Sequence, residues 1–305
     1  MKRLALGEPR YAFDPSLEPE LEVDDGESFW LETFDAHRGT IVDESVVYRS
    51  LQDVVERLGG ANPLSGPVAV RGVAAGDCLA VSVCAIRPAP RRGRGYTCTT
   101  PAVDSQLEPE TVLCPVEDGA VLLPTAAGRA RVPLEPMVGT LGVAPVSARA
   151  SFEQGDDFLG NVDLPDLRAG ATVVLRAQVE GALLYAGDAH LAQGDAEIHR
   201  AAIETEADVQ LCARRLSSEE AELVGLPQLN RADSWGSVAP GPGPLEELIR
   251  RAYGDLAHRL VGACGLRRAD AYRLLGAAGR VRIGQLVPPL SSVLVTIATD
   301  LLPAR

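Results

Sequence analysis

Asp188, His190, Asp195 and Glu197 are the residues whose types and spacing are best suited to chemistry in this sequence. In an extended strand, side chains two residues apart lie on the same face, so Asp188 pairs with His190 and Asp195 with Glu197. Residues 191–194 predict a short loop that joins two antiparallel strands, with His190 opposite Asp195 and Asp188 opposite Glu197. This pairing would bring three carboxyl groups and one imidazole together on one face of a sheet.

Such a cluster is costly unless its charge is compensated. Like charges at close range raise one another's pKa, and burial raises the pKa of carboxyl groups further. A divalent cation would relieve both effects, and imidazole with carboxylate ligands suits zinc or another first-row metal. The alternative is a solvated hairpin whose acids face water. Residue types alone leave both interpretations open, while the alternating spacing favours a metal or catalytic site.

A second polar pair precedes this segment. Asn161 and Asp163 are again two residues apart. Asx residues beside glycine are common in turns, so a turn is the alternative to a role in a metal shell or in holding a substrate amide. Near the N-terminus, Asp35 and His37 have the same spacing, which on its own is a weak signal.

The elements that must position these residues are predicted to be mainly strands. Short apolar runs at 79–86, 171–179, 182–186 and 293–298 have strand length and strand composition. With 30 Gly and 22 Pro in the chain, a sheet-dominated architecture is favoured over a helical one. Helical periodicity predicts one helix over 245–261, ending at Gly262, and another over 269–278. The predicted order is a long β region, a helical pair, and β structure again.

Charge and composition exclude several classes of function. The net charge is -13, whereas a nucleic-acid binder needs clustered cations to neutralise phosphates. The dense basic cluster of Arg91, Arg92 and Arg94 lies among Pro and Gly and is interpreted as an exposed loop. We therefore expect no nucleic acid as a partner. No run approaches the roughly 20 apolar residues that span a bilayer, so no membrane partner is expected either.

The cysteines indicate the compartment. The chain has six cysteines without a CxxC pair, which argues against a structural zinc knuckle and against a dense disulfide framework. Residues 1–9 begin with positive charge but lack an apolar core of signal length. Free, buried thiols in a reducing compartment are expected, and the predicted location is the cytoplasm.

Several motifs occur together in an order that resembles one family. Pro-Met-Val-Gly-Thr-Leu-Gly-Val-Ala-Pro stands at 136–145, Gly-Asn-Val-Asp at 160–163, and Gly-Asp-Ala-His-Leu-Ala-Gln-Gly-Asp-Ala-Glu at 187–197. With Glu-Thr-Phe-Asp at 32–35, they are similar to the landmarks of the acetamidase/formamidase family. The resemblance runs over most of the chain, and the segment 187–197 is its most specific part.

The resemblance implies a fold and a function. It implies a mainly β fold, with a β-sandwich core, smaller β-barrel-like and α+β additions, and the helical pair near the C-terminus. The chain would be a single unit over 1–305, with an N-terminal β region at 1–135, a site-bearing β core at 136–236, and helices with terminal strands at 244–305. The implied activity is hydrolysis of formamide, acetamide or a related short amide to carboxylate and ammonia. Zinc is the implied cofactor, with calcium possible, and self-association into a homo-oligomer is implied.

Roles for individual residues follow by position. The expected metal ligands are Asp188 and His190, joined by Asp35 or Asp163. Glu197 is expected to transfer the proton, with Asp195 as a further catalytic residue, and Asn161 or Gln193 to hydrogen-bond the substrate amide.

Three positions depart from the family pattern. Leu159 and Ala196 stand where the family carries glycine, and His37 stands where it does not normally carry histidine. The rival interpretation, from another functional class, is a non-catalytic β-sandwich that binds a structural cation or a small polar ligand.

Overall fold

The computed structural model describes residues 1–89, 93–100, 104–287 and 289–303, and within them the chain is mainly β, as predicted. Strands in the first half are β1 (Lys2–Leu4), β2 (Ala12–Phe13), β3 (Leu21–Val23), β4 (Ser28–Thr33), β5 (Leu64–Val70), β6 (Cys78–Pro88), β7 (Arg94–Thr99), β8 (Glu110–Glu117), β9 (Ala120–Thr125), β10 (Gly128–Pro133) and β11 (Met137–Val143). Those in the second half are β12 (Arg149–Ala150), β13 (Gln154–Gly155), β14 (Leu159–Asn161), β15 (Thr172–Arg176), β16 (Leu184–Ala192), β17 (Ile203–Thr205), β18 (Ala207–Arg215), β19 (Gln228–Asn230), β20 (Ser234–Pro242), β21 (Arg280–Val287) and β22 (Leu290–Ala298). The helices are α1 (Leu51–Leu58), α2 (Ser218–Ala221), α3 (Leu245–Cys264) and α4 (Arg268–Ala278), followed by a 3-10 turn at Thr299–Leu301.

Two large sheets share one hydrophobic core. The nine-stranded sheet has the order β1-β4-β18-β6-β15-β19-β20-β22-β21, and the eleven-stranded sheet contains β10-β9-β8-β7-β17-β16-β11-β14-β13 with β5 and β3 beside β16. Leu31 and Val81 of the first sheet and Leu141 and Leu184 of the second belong to the same buried cluster. This face-to-face packing is the predicted β-sandwich.

The burial patterns show which strands lie inside the molecule. Strands β4 and β18 alternate buried and less buried residues, as expected when one face meets the core and the other meets solvent. Every residue of β11 and β16 is buried, so both faces of these strands are covered. Polar side chains on β16 are therefore held away from water and need partners inside the protein.

Strands from all three predicted segments join the nine-stranded sheet. Strand β1 comes from 1–135, β15 from 136–236, and β21 and β22 from 244–305.

The predicted runs at 79–86 and 171–179 correspond to β6 and β15, and the run at 182–186 marks only the beginning of the longer β16. Arg91 and Arg92 of the predicted basic loop lie outside the described residues, whereas Arg94 begins β7.

The helical pair lies where it was predicted. Helices α3 and α4 pack on β20 and β22 through a second core that includes Leu248, Leu256 and Val293. The predicted end of the first helix at Gly262 is wrong, because α3 continues to Cys264 and Gly265 takes the left-handed cap conformation. Gly262 instead allows close packing, since a Cβ there would lie 2.4 Å from Leu223.

Helix α1 was not predicted. Its Ser50 side chain accepts a hydrogen bond from the backbone N–H of Asp53, and Gly59 ends it in the left-handed conformation.

In the part of the chain that the structure describes, no helix is long and apolar enough to cross a membrane. All six cysteines are free thiols, and Cys78, Cys98 and Cys114 are buried as expected, whereas Cys84 is exposed.

Candidate active site

Strand β16 carries Asp188 and His190 between β11 on one side and β17 and β5 on the other. The residue opposite His190 on β17 is Glu204. The predicted hairpin register is therefore wrong, because β16 continues to Ala192 and the chain returns only at Ile203. Residues 193–202 form an irregular loop between the two strands.

The altered register moves Asp195 out of the cluster. Its side chain is 60% exposed, and Oδ1 lies 2.8 Å from Nη1 of Arg282. The predicted convergence of all four residues on one face is thus corrected for Asp195, which lies at the surface of the loop. Its position gives no support to a role in proton transfer.

Glu197 reaches the cluster by a different route from the predicted one. Ala196 and Glu197 both have positive φ, at 74° and 42°, so the loop turns back on itself. The backbone N–H of Ala196 donates to Ile283 O at 2.8 Å, and Leu286 N–H donates to Ala196 O at 2.8 Å. These two bonds attach the loop to β21 and direct Glu197 inward.

His190 is the centre of two overlapping groups of ligand atoms. One consists of Asp188, His190 and Glu204, and the other of Asp163, His190 and Glu197; within each, the ligand atoms lie within 4.8 Å of one another. His190 Nε2 lies 3.4 Å from Asp188 Oδ1 and 3.4 Å from Glu204 Oε2. The sequence interpretation missed Glu204, although an acid beside Ile203 in a β-type run at 203–206 was a usable signal.

Several of these atoms are buried without a hydrogen-bond partner among the described residues. They are His190 Nε2, Glu204 Oε2 and Asp163 Oδ1. Buried polar atoms in folded proteins are nearly always paired, because leaving one unpaired costs free energy. Carboxylate oxygens with one imidazole nitrogen are the ligands that a divalent cation takes. The residues present therefore fit a divalent cation.

Burial and mutual repulsion raise the pKa values of three acids in the cluster, which are Asp163, Glu197 and Glu204. Burial raises the pKa of Asp163 well above its usual range, with the charges of Glu197 and Asp188 adding to the shift. Burial also raises the pKa of Glu204, and it raises that of Glu197 to about 8 against the opposing charge of His190. Glu197 is partly exposed as a residue, but its carboxyl group faces the buried ligand atoms.

His190 is shifted by its acidic neighbours. Burial alone would lower its pKa, but the charges of Glu204 and Asp188 outweigh burial and raise that pKa well above its ordinary value. A bound divalent cation would reverse these shifts, because its charge favours carboxylates and neutral imidazole.

Amide side chains hold the ligand residues in place. Asn161 Nδ2 donates to Asp163 Oδ2 at 2.7 Å, and Asn62 Nδ2 donates to Asp188 Oδ2 at 3.0 Å. Asn161 Oδ1 accepts from Thr140 and from Asn62. Asn161 also lines the cavity above the cluster, so its predicted contact with substrate stays a prediction.

Gln193 orients His190. Its Nε2 group donates to the carbonyls of Asp163 and Gly284, which leaves Oε1 as the acceptor for His190 Nδ1 at 2.9 Å. His190 therefore carries a proton on Nδ1, and Nε2, on the side of the carboxylates, is the nitrogen that a cation would take once its proton is displaced. Since the hydrogen bonds of Gln193 are made within the protein, and it does not line the cavity above the cluster, its position does not support the predicted substrate contact.

Asp35 lies outside both groups of ligand atoms. Its carboxylate accepts hydrogen bonds from the backbone N–H groups of His37 and Gly39 and from the Tyr96 hydroxyl. The structure thus brings together Asp163, Asp188 and His190 of the four predicted metal ligands, and it does not bring Asp35 to them.

The sequence model of the acetamidase/formamidase family matches residues 7–106 and 128–225. The chain belongs to the acetamidase/formamidase family. It is therefore an amide-hydrolysing enzyme.

Solved structures of acetamidases are similar over nearly the whole chain. The crystal structure of an acetamidase from Bacillus halodurans is 27% identical, with a TM-score of 0.88, and the match covers 98% of this chain and 97% of that one. An acetamidase from Yersinia enterocolitica is also 27% identical, with a TM-score of 0.87, covering 97% of this chain and 90% of that one. A predicted acetamidase/formamidase from Thermoanaerobacter tengcongensis shares the fold at 24% identity, with a TM-score of 0.83, covering 96% and 93%. A comparison with curated protein sequences gave no match.

Two departures from the acetamidase/formamidase pattern fall at strained backbone positions. Leu159 has φ of 66° and Ala196 has φ of 74°. Glycine adopts this left-handed region freely, whereas an L-residue with a Cβ costs roughly 1–2 kcal/mol there. The chain therefore bears this backbone strain at both positions.

Close packing requires glycine at position 139, within the motif at 136–145. A Cβ at this position would lie 2.4 Å from Asp163 Oδ1 and 2.8 Å from the Asp188 carbonyl oxygen. A side chain there would displace two of the acids in the cluster, so the site requires glycine.

A cavity of about 210 Å³ opens above the cluster. Its polar part contains Asn161, Asp163, Asp188, Glu197 and Glu204, and its remaining wall is mostly apolar. A few polar residues surrounded by apolar walls are typical of sites that bind small molecules.

Replacing Gln193 by leucine should weaken metal binding about 10- to 100-fold, because His190 loses the acceptor that fixes its tautomer and orientation. Metal affinity is measured by titration of the metal-free protein. The matched control is Gln52→Leu, since Gln52 is exposed on α1 and its side chain donates a hydrogen bond to Glu56, away from the cluster. Equal affinity in both variants would contradict the orienting role.

Proposed function

We propose that this member of the family is a metal-dependent amidohydrolase that cleaves a short aliphatic carboxamide, of the formamide or acetamide type, to carboxylate and ammonia. The observation that carries the proposal is the buried cluster around His190, in which His190 Nε2, Glu204 Oε2 and Asp163 Oδ1 have no hydrogen-bond partner among the described residues. The small cavity directly above that cluster is the place for the substrate.

Asp163, Asp188, His190 and Glu204 are the residues proposed to hold the cation. Zinc is proposed because the group combines an imidazole nitrogen with carboxylates, while calcium, which takes oxygen ligands, is the alternative. When bound, the cation supplies Lewis acidity, which polarises a carbonyl and makes water more acidic.

Glu197 is proposed as the group that moves protons. It lies beside the ligand atoms on the loop rather than on a strand. Its carboxylate would take a proton from the attacking water and deliver it to the leaving nitrogen. Burial raises the pKa of Glu197 to about 8, so it holds a proton readily near neutral pH. A nearby cation would bring that pKa back down and favour the basic form.

The proposed function is tested with a panel of amides. Ammonia release is measured from formamide, acetamide, propionamide and longer amides, before and after removal of metal by a chelator. We expect turnover of at least one short amide, loss of that turnover on chelation, and recovery with a single added metal. Full activity after complete metal removal would overturn the metal dependence, and turnover of long amides alone would overturn the substrate class.

Metal affinity should rise with pH between about 6 and 8. Without metal, the raised pKa values of Glu197, Glu204 and His190 mean that the cluster holds protons. A cation must displace these protons, so binding is weaker at low pH and strengthens as the acids ionise. Calorimetric titrations in buffers of different ionisation enthalpy count the protons released. Glu197→Gln should release fewer protons than the unmodified protein, and pH-independent affinity would contradict the expectation.

A further inference from the structure

His37, Tyr96 and Asp35 form a hydrogen-bonded chain that reaches the wall of the cavity, and the proton steps proposed above do not use it. His37 Nδ1 lies 2.9 Å from the Tyr96 hydroxyl, which donates to Asp35 Oδ1 at 3.0 Å. Gly39 N–H donates to both oxygens of Asp35 at 3.0 Å. His37 lines the same cavity as Asp188 and Glu204.

The positions of the protons in the hydrogen-bonded chain of His37, Tyr96 and Asp35 follow from counting donors and acceptors. The Tyr96 hydroxyl has one proton, and it must lie between the Tyr96 and Asp35 oxygens, since two bare oxygens 3.0 Å apart would repel. The contact between Tyr96 and His37 therefore needs the proton of His37 Nδ1. Burial lowers the pKa of His37 to about 4, so the imidazole is neutral near pH 7. With its proton on Nδ1, the neutral ring has a lone pair on Nε2.

The imidazole ring is held rigidly in this orientation. Its face stacks on Tyr48, with ring centroids 4.7 Å apart and an angle of 24° between the planes. The Arg57 guanidinium lies 4.1 Å from the centroid of the Tyr48 ring, and the Tyr48 hydroxyl lies 2.8 Å from Thr40 Oγ1. Of the two ring nitrogens of His37, the described part of the chain gives a hydrogen-bond partner to Nδ1 alone.

We propose that His37 Nε2 accepts a hydrogen bond from the amide NH₂ group of the substrate and thereby selects carboxamides over ligands that present no N–H there. This inference rests on the proposed function. Because Nε2 carries no proton, His37 cannot protonate the leaving nitrogen, which leaves that step to Glu197. Tyr96 and Asp35 are positioning residues that act through His37.

The test compares an amide with its own carboxylate, which has no N–H to donate. His37→Asn keeps a donor for the Tyr96 oxygen but places no acceptor where Nε2 stood. KM for acetamide should rise about 3- to 10-fold, the loss expected from one neutral hydrogen bond. The inhibition constant of acetate should stay the same or fall, since a carboxylate gains nothing from a lone pair on Nε2.

A purely structural role for His37 would instead weaken acetamide and acetate together. Tyr96→Phe leaves His37 in place but removes the acceptor that fixes its tautomer, so KM for acetamide should rise in the same direction by a smaller factor. His258→Asn, on the exposed face of α3, is the control for both variants and should change neither constant.

The outcomes separate this inference from the proposed function. An acetamide KM within twofold of the unmodified enzyme in His37→Asn, or a parallel rise in the acetate inhibition constant, would overturn the role of His37 only. An unmodified protein that hydrolyses no amide in the panel would overturn the proposed function before any variant is made. If the panel selects another amide, that amide and its carboxylate replace acetamide and acetate.

Discussion

Replacing His190 by alanine should abolish metal binding and lower kcat/KM by a factor of about 10³ or more. The imidazole belongs to both groups of ligand atoms, so its loss leaves neither complete. The remaining buried carboxyl groups would repel one another without a cation or an imidazole between them. Polarisation of a carbonyl by a metal is worth several kcal/mol, and each 1.36 kcal/mol corresponds to about a factor of ten in rate.

Metal content by elemental analysis and amide turnover should be measured on the same preparation of the His190→Ala variant. His258→Ala is the matched control, because His258 lies exposed on α3 and is far along the chain from the cluster. A His190→Ala protein that keeps a full equivalent of metal would contradict the assignment of His190 as the shared ligand. Circular dichroism of both variants separates loss of metal from loss of fold.

Replacing Glu197 by glutamine should lower kcat by about 10²- to 10⁴-fold while the protein still binds metal. The amide has nearly the shape of the carboxylate, but it cannot take a proton from water. Asp163, Asp188, His190 and Glu204 remain in this variant and are the residues proposed to hold the cation. The result is read from kcat and from metal content together.

Asp195→Asn is the matched control for Glu197→Gln, since it makes the same change of charge two residues away. Asp195 is exposed and pairs with Arg282 at the surface, and surface ion pairs contribute at most about 1 kcal/mol. Its kcat should therefore change little. Loss of metal from Glu197→Gln would instead identify Glu197 as a ligand, and an inactive Asp195→Asn protein with unchanged Glu197→Gln activity would reverse the two roles.

Strand alternation predicted the pairing of Asp188 with His190 on one strand, although Asp188 itself departs from extended backbone, with φ of 56°. The same alternation failed beyond Gln193, because periodicity does not reveal where a strand stops and a loop begins. The loop at 193–202 is longer than the predicted turn, and the two backbone bonds of Ala196 to β21 depend on a strand almost ninety residues later. Glu197 was thus assigned to the cluster for the wrong geometric reason.

Glu204 and Gln193 illustrate what a single sequence leaves undetermined. Glu204 faces His190 only through the β16–β17 register, and that register depends on where the chain returns after the 193–202 loop. Gln193 was predicted to bind substrate because an amide can do so, yet its partners are backbone carbonyls at Asp163 and Gly284 that only the folded chain brings near. The mainly β architecture and the helical pair were predictable, since local composition and periodicity determine them.

The attachment of the 193–202 loop to β21 has a consequence for how this enzyme can be divided or shortened. Asp188, His190 and Glu204 belong to the eleven-stranded sheet, and Asp163 follows its strand β14. The strand that holds Ala196 is instead the last member of the nine-stranded sheet. A fragment that ends at 236 would retain Asp163, Asp188, His190 and Glu204 but lose Ile283 and Leu286, which anchor the turn before Glu197. The proposed reaction centre is therefore not a transferable module of the central region. The C-terminal segment, which lies beyond the part matched by the family's sequence model, is as much a component of it as the clustered acids and His190 are.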